Sequence, residues 1–261
     1  DFYLATALLA CTVGCRPFQA VYYLPIAYMI AKQYRFKVLR TWKFYVIPAC
    51  IAAIYMWYNY IRFGNVFEFG HNYLPEFMRM PAGQFGWEYF RSNLQNAFAD
   101  FPKCTADGLQ FNAFGFCFYI ANPIFLLLLC AVIYYRQVPA YPPLFPRRGK
   151  AASKKKYAPV PLSARFENSR IPEVLLLGLM LVLHLLFLLL HKTLGGWQFG
   201  SRYTVDMIPA ALLCILMLVP QFSSAQSRRK HCIAFSTVAC LLLLFGTLLN
   251  IYGAVKLYLP A

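Results

Sequence analysis

Acidic side chains are scarce in this chain of 261 residues: nine Asp and Glu stand against 25 Lys and Arg, and charged residues of both signs make up only 13% of it. Apolar residues reach 60% and fall in long blocks instead of the short periodic pattern of a soluble core. Together these features exclude an ordinary water-soluble domain and point to an integral membrane protein. No glycine loop of the phosphate-cradling kind occurs, so the sequence offers no nucleotide-binding domain. The nine cysteines, at 11, 15, 50, 104, 117, 130, 214, 232 and 240, lack metal-ligand spacing, and most lie inside apolar runs as small buried thiols. No metal and no cofactor is expected. A secretory leader and an initiator Met are also missing, so the chain is expected to be the C-terminal portion of a longer protein.

Crossing about 30 Å of hydrocarbon takes roughly 20 helical residues. Apolar runs of about that size lie at 44–60, 112–135, 173–191, 206–221 and 232–255, and a longer one at 2–31. Arg16-Pro17 interrupts the first run. A turn there makes a hairpin of two short helices and keeps the Arg16 charge out of the hydrocarbon centre. The expected fold class is therefore all-α: a polytopic membrane helix bundle forming a single membrane domain, with about seven transmembrane helices.

Orientation follows from the basic residues, which gather in cytoplasmic loops. The segments 32–43, 136–172 and 228–230 would share one side and hold 17 of the 25 Lys and Arg. The opposite side holds Arg62, Arg79, Arg91, Lys103, Lys192, Arg202 and Lys256 with most of the acids, and is expected to face outward. The net charge of +16 is thus a topology signal with anionic lipid at the inner surface, not a sign of nucleic acid. The stretch 137–165, with prolines around RRGKAASKKK, reads as a flexible basic cytoplasmic linker.

Three outward stretches carry polar detail. In the outward loop at 61–111, QFGWEYFRSNLQNAFADFP at 84–102 places Trp87, Phe90, Leu94, Ala97, Phe98 and Phe101 at helical spacing. Such a helix would lie flat in the headgroup layer, either closing the membrane surface or flooring a site for a lipid-linked substrate. In YNYIRFGNVFEFGHNY at 58–73 the aromatics are ordinary interface anchors. Asn59, Arg62, Glu68 and His71 are not explained that way, and polar groups held at a membrane edge usually line a cavity. In GGWQFGSRYTVD at 195–206, Gly195 and Gly196 can break a helix, and Arg202 would open the next one. There its planar fork and the free amides of the helix start suit a phosphate. The alternative is an Arg202–Asp206 pair one turn apart that merely caps the membrane edge. His184 and His191, seven apart, read as packing or interhelical hydrogen bonding more than as a relay.

The GCRP turn at 14–17, the YNYIRFGNVFEFG stretch at 58–70 and GGWQFGSRYTVDMIPAALL at 195–213, in that order, resemble the C-terminal half of bacterial GT-C-class membrane glycosyltransferases over nearly the whole chain. The resemblance implies an enzyme of the bacterial cytoplasmic membrane that moves a sugar from a polyprenyl-phosphate carrier to a glycan, lipid or protein acceptor at the outer face. It makes Arg16, Arg62 and Arg202 candidate partners of the lipid phosphate. Asn59, His71, Gln198, Tyr203 and Asp206 become further substrate-binding candidates. The principal acid of that family commonly lies in the first outward loop, which would fall upstream of Asp1, leaving Glu68 a supporting catalytic role. A transporter of lipid-linked sugar or polysaccharide and a noncatalytic membrane scaffold are the alternatives.

Overall fold

The computed structural model describes residues 2–35, 41–106, 108–135, 171–218 and 226–258. The basic stretch expected to be a linker, 137–165, lies outside the described residues. The described residues are mostly helical, 74% helix against 4% strand, and among them the strand is one small hairpin and an isolated bridge.

Helix α1 (Phe2–Cys15) stops where Arg16 turns to an extended backbone and Pro17, lacking an N–H, opens a 3-10 turn over Pro17–Tyr22. Helix α2 (Tyr23–Gln33) then returns beside α1, and the Tyr23 hydroxyl donates to the Thr6 carbonyl at 2.9 Å. The expected hairpin at Arg16-Pro17 is therefore formed. A 3-10 turn at Trp42–Tyr45 leads into α3 (Val46–Phe63), which ends on Gly64 at φ 69. Helix α3 runs beside α1 in the same direction: Thr6 meets the Phe44 carbonyl at 2.8 Å, and Gly14 lies against the Tyr55 ring so closely that a Cβ there would overlap it.

The next segment holds α4 (Pro75–Met78), α5 (Phe90–Phe98) and an antiparallel hairpin of β1 (Lys103–Thr105) and β2 (Gly108–Gln110). The interfacial helix expected over 84–102 is thus reduced to α5 and a preceding 3-10 turn at Trp87–Tyr89. Its buried side is Asn93 and Ala97, while Trp87, Leu94, Phe98 and Phe101 stay exposed. Helices α6 (Phe118–Ala121) and α7 (Ile124–Tyr135) are separated by Asn122-Pro123, and α8 (Ile171–Leu190), α9 (Ile208–Leu218) and α10 (Gln226–Tyr258) complete the chain.

Among the described residues three helical stretches, Trp42–Phe63, Ile171–Leu190 and Ile233–Leu257, are long and apolar enough to cross a membrane. Seven spans are not established. The apolar runs at 2–31 and 112–135 are cut into shorter helices by Pro17 and by Asn122-Pro123, and the run at 206–221 is described as a helix only over Ile208–Leu218, after the 3-10 turn at Arg202–Met207. Helix α8 is the central element, with 39% of its apolar window buried against 17% for the first span and 11% for the last. Leu177, Met180, Leu181 and Leu188 of α8 pack with Tyr22 and Met29 on one side and with Ala210, Ala211 and Cys214 of α9 on the other. The small Ala pair lets α9 approach closely. Exposed Leu241, Leu244, Leu248 and Ile251 on α10 form a stripe that water would penalise and a hydrocarbon layer would not.

Candidate functional site

The irregular segments gather at the end of α8 marked by Leu190, opposite the end where Lys32 pairs with Glu173 at 2.6 Å. Two backbone bonds fix this gathering: the Gly86 amide donates to the Leu190 carbonyl at 3.0 Å and the Lys192 amide to the Gln84 carbonyl at 3.0 Å. Asn93, buried on α5, donates to the carbonyls of Leu189 and His191 at 3.1 and 2.6 Å. A carbonyl left unpaired at a helix end is costly when buried, and the Asn93 amide supplies the missing donor.

A cavity of about 310 Å³ opens here, lined by segments 15–18, 67–72, 84–85, 188–191 and 203–206. That volume lies at the lower end of the small-molecule range. Five of the nine sequence candidates line it: Arg16, Glu68, His71, Tyr203 and Asp206. They come from the α1–α2 turn, the loop after α3 and the 3-10 turn at Arg202–Met207, so these three segments converge.

Arg16 and Asp206 form an ion pair at 3.5 Å with side chains 40% and 20% exposed. The Arg16 guanidinium also sits 4.9 Å from the centre of the Tyr203 ring, with Arg202 at 5.6 Å from the same ring. Asp206 lies ahead of α9, and burial pushes its carboxyl above the usual carboxylate range against the pull of Arg16 and then Arg202. Glu68 has the opposite setting. Its carboxylate accepts from Asn72 Nδ2 and the Gly70 amide, each at 2.7 Å. The Asn72 bond is the largest cause holding its pKa below the ordinary value, helped by the backbone amides and by His71. Gly70, at φ 87, permits the tight return that aims its N–H at Glu68.

The other four candidates do not line the cavity. Asn59 is buried and donates to the Val66 carbonyl at 3.2 Å, which holds the turn after α3. Arg62 lies exposed along its own helix, donating to the Tyr58 hydroxyl at 3.1 Å. Gln198 is buried, donates to the Leu194 carbonyl at 3.0 Å and accepts from the Arg202 amide at 2.9 Å. Arg202 is exposed, with its guanidinium 5.6 Å from the centre of the Tyr203 ring.

Two expectations for 195–206 therefore change. The amides at the start of the 3-10 turn do not wait for an anion: those of Arg202, Tyr203 and Thr204 donate to Gln198 Oε1, the Leu194 carbonyl and the Ser201 carbonyl. The ion-pair partner of Asp206 is Arg16, from far away in sequence, and not Arg202 one turn before it. Both changes follow from Gly195 and Gly196, at φ 136 and 81, which fold the segment back on Leu194.

Sequence reasoning missed Gln84 and His191. His184 fits its packing role, buried in the core with its Nδ1 against the Tyr22 hydroxyl at 3.1 Å. His191 is also buried and hydrogen-bonded, but it lies one residue beyond α8, lines the cavity and meets Gln84 Nε2 at 3.1 Å through its own Nε2. The available signal was its position, first in HKTLGG where the apolar run ends. Among the described residues no three His, Cys, Asp or Glu side chains group as a metal site.

No family model, no curated protein and no solved structure matches the chain.

Proposed function

We propose that this chain belongs to a multi-pass glycosyltransferase of the bacterial cytoplasmic membrane, transferring a sugar from a polyprenyl-phosphate carrier to a glycan, lipid or protein acceptor at the outer face. The observation that carries the reading is the convergence of Arg16, Glu68, His71, Tyr203 and Asp206 on one cavity beside a long apolar helix. In that setting a lipid chain lies in hydrocarbon while its phosphate and sugar reach polar groups at the membrane edge.

Arg16 is the phosphate partner in this reading. It is half-exposed, its pair with Asp206 is long, and a phosphate entering the cavity can take over its guanidinium with better geometry. Arg202, beside Tyr203, adds positive potential near the cavity. Exposed Phe67 and Phe69 and the ring of Tyr203 supply faces for a sugar. Glu68 plays a supporting part as a fixed negative charge that orders the 64–72 loop. In the reaction the acceptor oxygen attacks the anomeric carbon with inversion while the lipid phosphate departs, its developing charge stabilised by arginine.

The test is transfer from radiolabelled polyprenyl-phosphate hexoses in vesicles carrying the protein from its complete natural reading frame. Arg16→Ala should lower transfer by about 100-fold while expression and folding persist. Undiminished transfer would remove Arg16 from the phosphate site. Vesicles that flip or accumulate the lipid with no transfer would favour a transporter.

A further inference from the structure

The cavity holds a basic nitrogen that neither the resemblance nor the acidic candidates account for. His191 is 2% exposed, and its surroundings fix its place. The backbone is clamped by the Phe85–His191 bridge and by Asn93 on its carbonyl. The rings of Phe77, Phe85 and Tyr203 stand edge-on to the imidazole at 5.6, 5.1 and 5.2 Å. Nδ1 lies 2.7 Å from the Thr193 carbonyl oxygen and 3.2 Å from the Thr193 amide. The two contacts call for opposite tautomers, because the carbonyl needs a proton on Nδ1 and the amide needs a lone pair there; the shorter contact assigns the proton to Nδ1, which then donates to the carbonyl. Nε2 is then the acceptor, and the Gln84 amide at 3.1 Å is its donor. Both side chains line the cavity.

Of the two carboxylates, Glu68 already accepts from Gly70 and Asn72, and Asp206, which faces Arg16, is the rival acceptor that the measurements below separate from His191. From these contacts we infer that His191, presented by Gln84, is the proton-accepting residue of the cavity, and that its substrate is a hydroxyl group. This rests on the transferase reading above. The acceptor hydroxyl displaces the Gln84 amide from Nε2 and donates in its place. Its oxygen then forms the bond to the anomeric carbon, its proton passes to Nε2, and the bond from that carbon to the phosphate oxygen breaks with its electron pair on the phosphate. The imidazolium returns the proton to the departing phosphate or to water. Groups that bear on its charge are Arg16 on the first turn, Glu68 and His71 on the 64–72 loop, Tyr203, Asp206 and Arg202 on the 3-10 turn, and Lys192 beside it.

Two measurements test this. In the full protein, labelled with ¹⁵N in its histidine rings and held in phosphatidylethanolamine–phosphatidylglycerol nanodiscs, the His191 signals, assigned by loss in His191→Gln, should show protonated Nδ1 and bare Nε2 at alkaline pH. The opposite tautomer overturns the inference. In the transfer assay His191→Gln should lose about 100-fold in rate and lose the fall in rate that acidification causes in the wild type, because a protonated imidazole accepts nothing. Wild-type transfer with His191→Gln within threefold of it overturns the inference and leaves the transferase reading standing. Wild-type membranes that transfer from no offered donor overturn both.

Discussion

Two ion pairs mark the two ends of the helical core, and they are built differently. At one end Lys32 and Glu173 meet at 2.6 Å, with side chains 21% and 1% exposed. At the other, Arg16 and Asp206 meet at 3.5 Å with side chains 40% and 20% exposed, beside a cavity of about 310 Å³. A short, closed pair holds helices α2 and α8 together and has no room to change partners. A long, open one beside a cavity can exchange an internal carboxylate for an incoming anion. Burial and length thus separate a structural pair from a binding one, although both consist of one basic and one acidic residue.

Glu173→Ala gives the largest expected effect, because it leaves Lys32 in a mostly buried place without this carboxylate. Removing one partner of a buried pair costs about 3–5 kcal/mol, to be read from unfolding in mixed detergent. A loss below about 1 kcal/mol, the range of exposed pairs, would erase the contrast. Arg16→Ala should behave in the opposite way, changing stability by less than about 1 kcal/mol while binding of polyprenyl phosphate weakens. If its stability loss equals that of Glu173→Ala, the open pair is structural too.

The sequence made the three long apolar helices legible, since composition and length alone decide them, and it made the Arg16-Pro17 turn legible because proline and a lone charge act locally. Five cavity residues were legible as polar groups stranded at the membrane edge. His191 and Gln84 were not, because their meeting depends on segment 84–86 folding back along 190–192, a contact across about a hundred residues with no local pattern. The seven-residue spacing of His184 and His191 also misled. Heptad spacing implies a shared face, yet the helix ends at Leu190 and only His184 belongs to it.

Gln198→Ala sharpens the comparison at smaller scale. It removes the acceptor of the Arg202 amide and the donor to the Leu194 carbonyl, so about 1–2 kcal/mol of stability should be lost, with Arg202 more mobile by side-chain NMR. No change would mean that the glycines alone hold the turn.

The smallest effects are those of pH, and the two acids of the cavity should differ in sign. Glu68, with its pKa held down, adds stability above the unfolded carboxyl range that is lost as pH falls through its lower folded value. Hydrogen exchange at the Gly70 amide should therefore quicken on acidification, and Glu68→Gln should abolish that response. Asp206, with its pKa raised by burial, makes the fold less stable as pH rises from the unfolded carboxyl range through its higher folded value. Asp206→Asn should remove that downward slope in a plot of unfolding free energy against pH. Slopes of the same sign would contradict the assigned surroundings.

The most direct measurement is sugar transfer from radiolabelled polyprenyl-phosphate hexoses by vesicles carrying the complete natural protein, wild type beside Arg16→Ala. The account predicts labelled product from the wild type and about 100-fold less from the variant. Equal transfer by the two, or none from any donor while the vesicles flip the lipid, would contradict it.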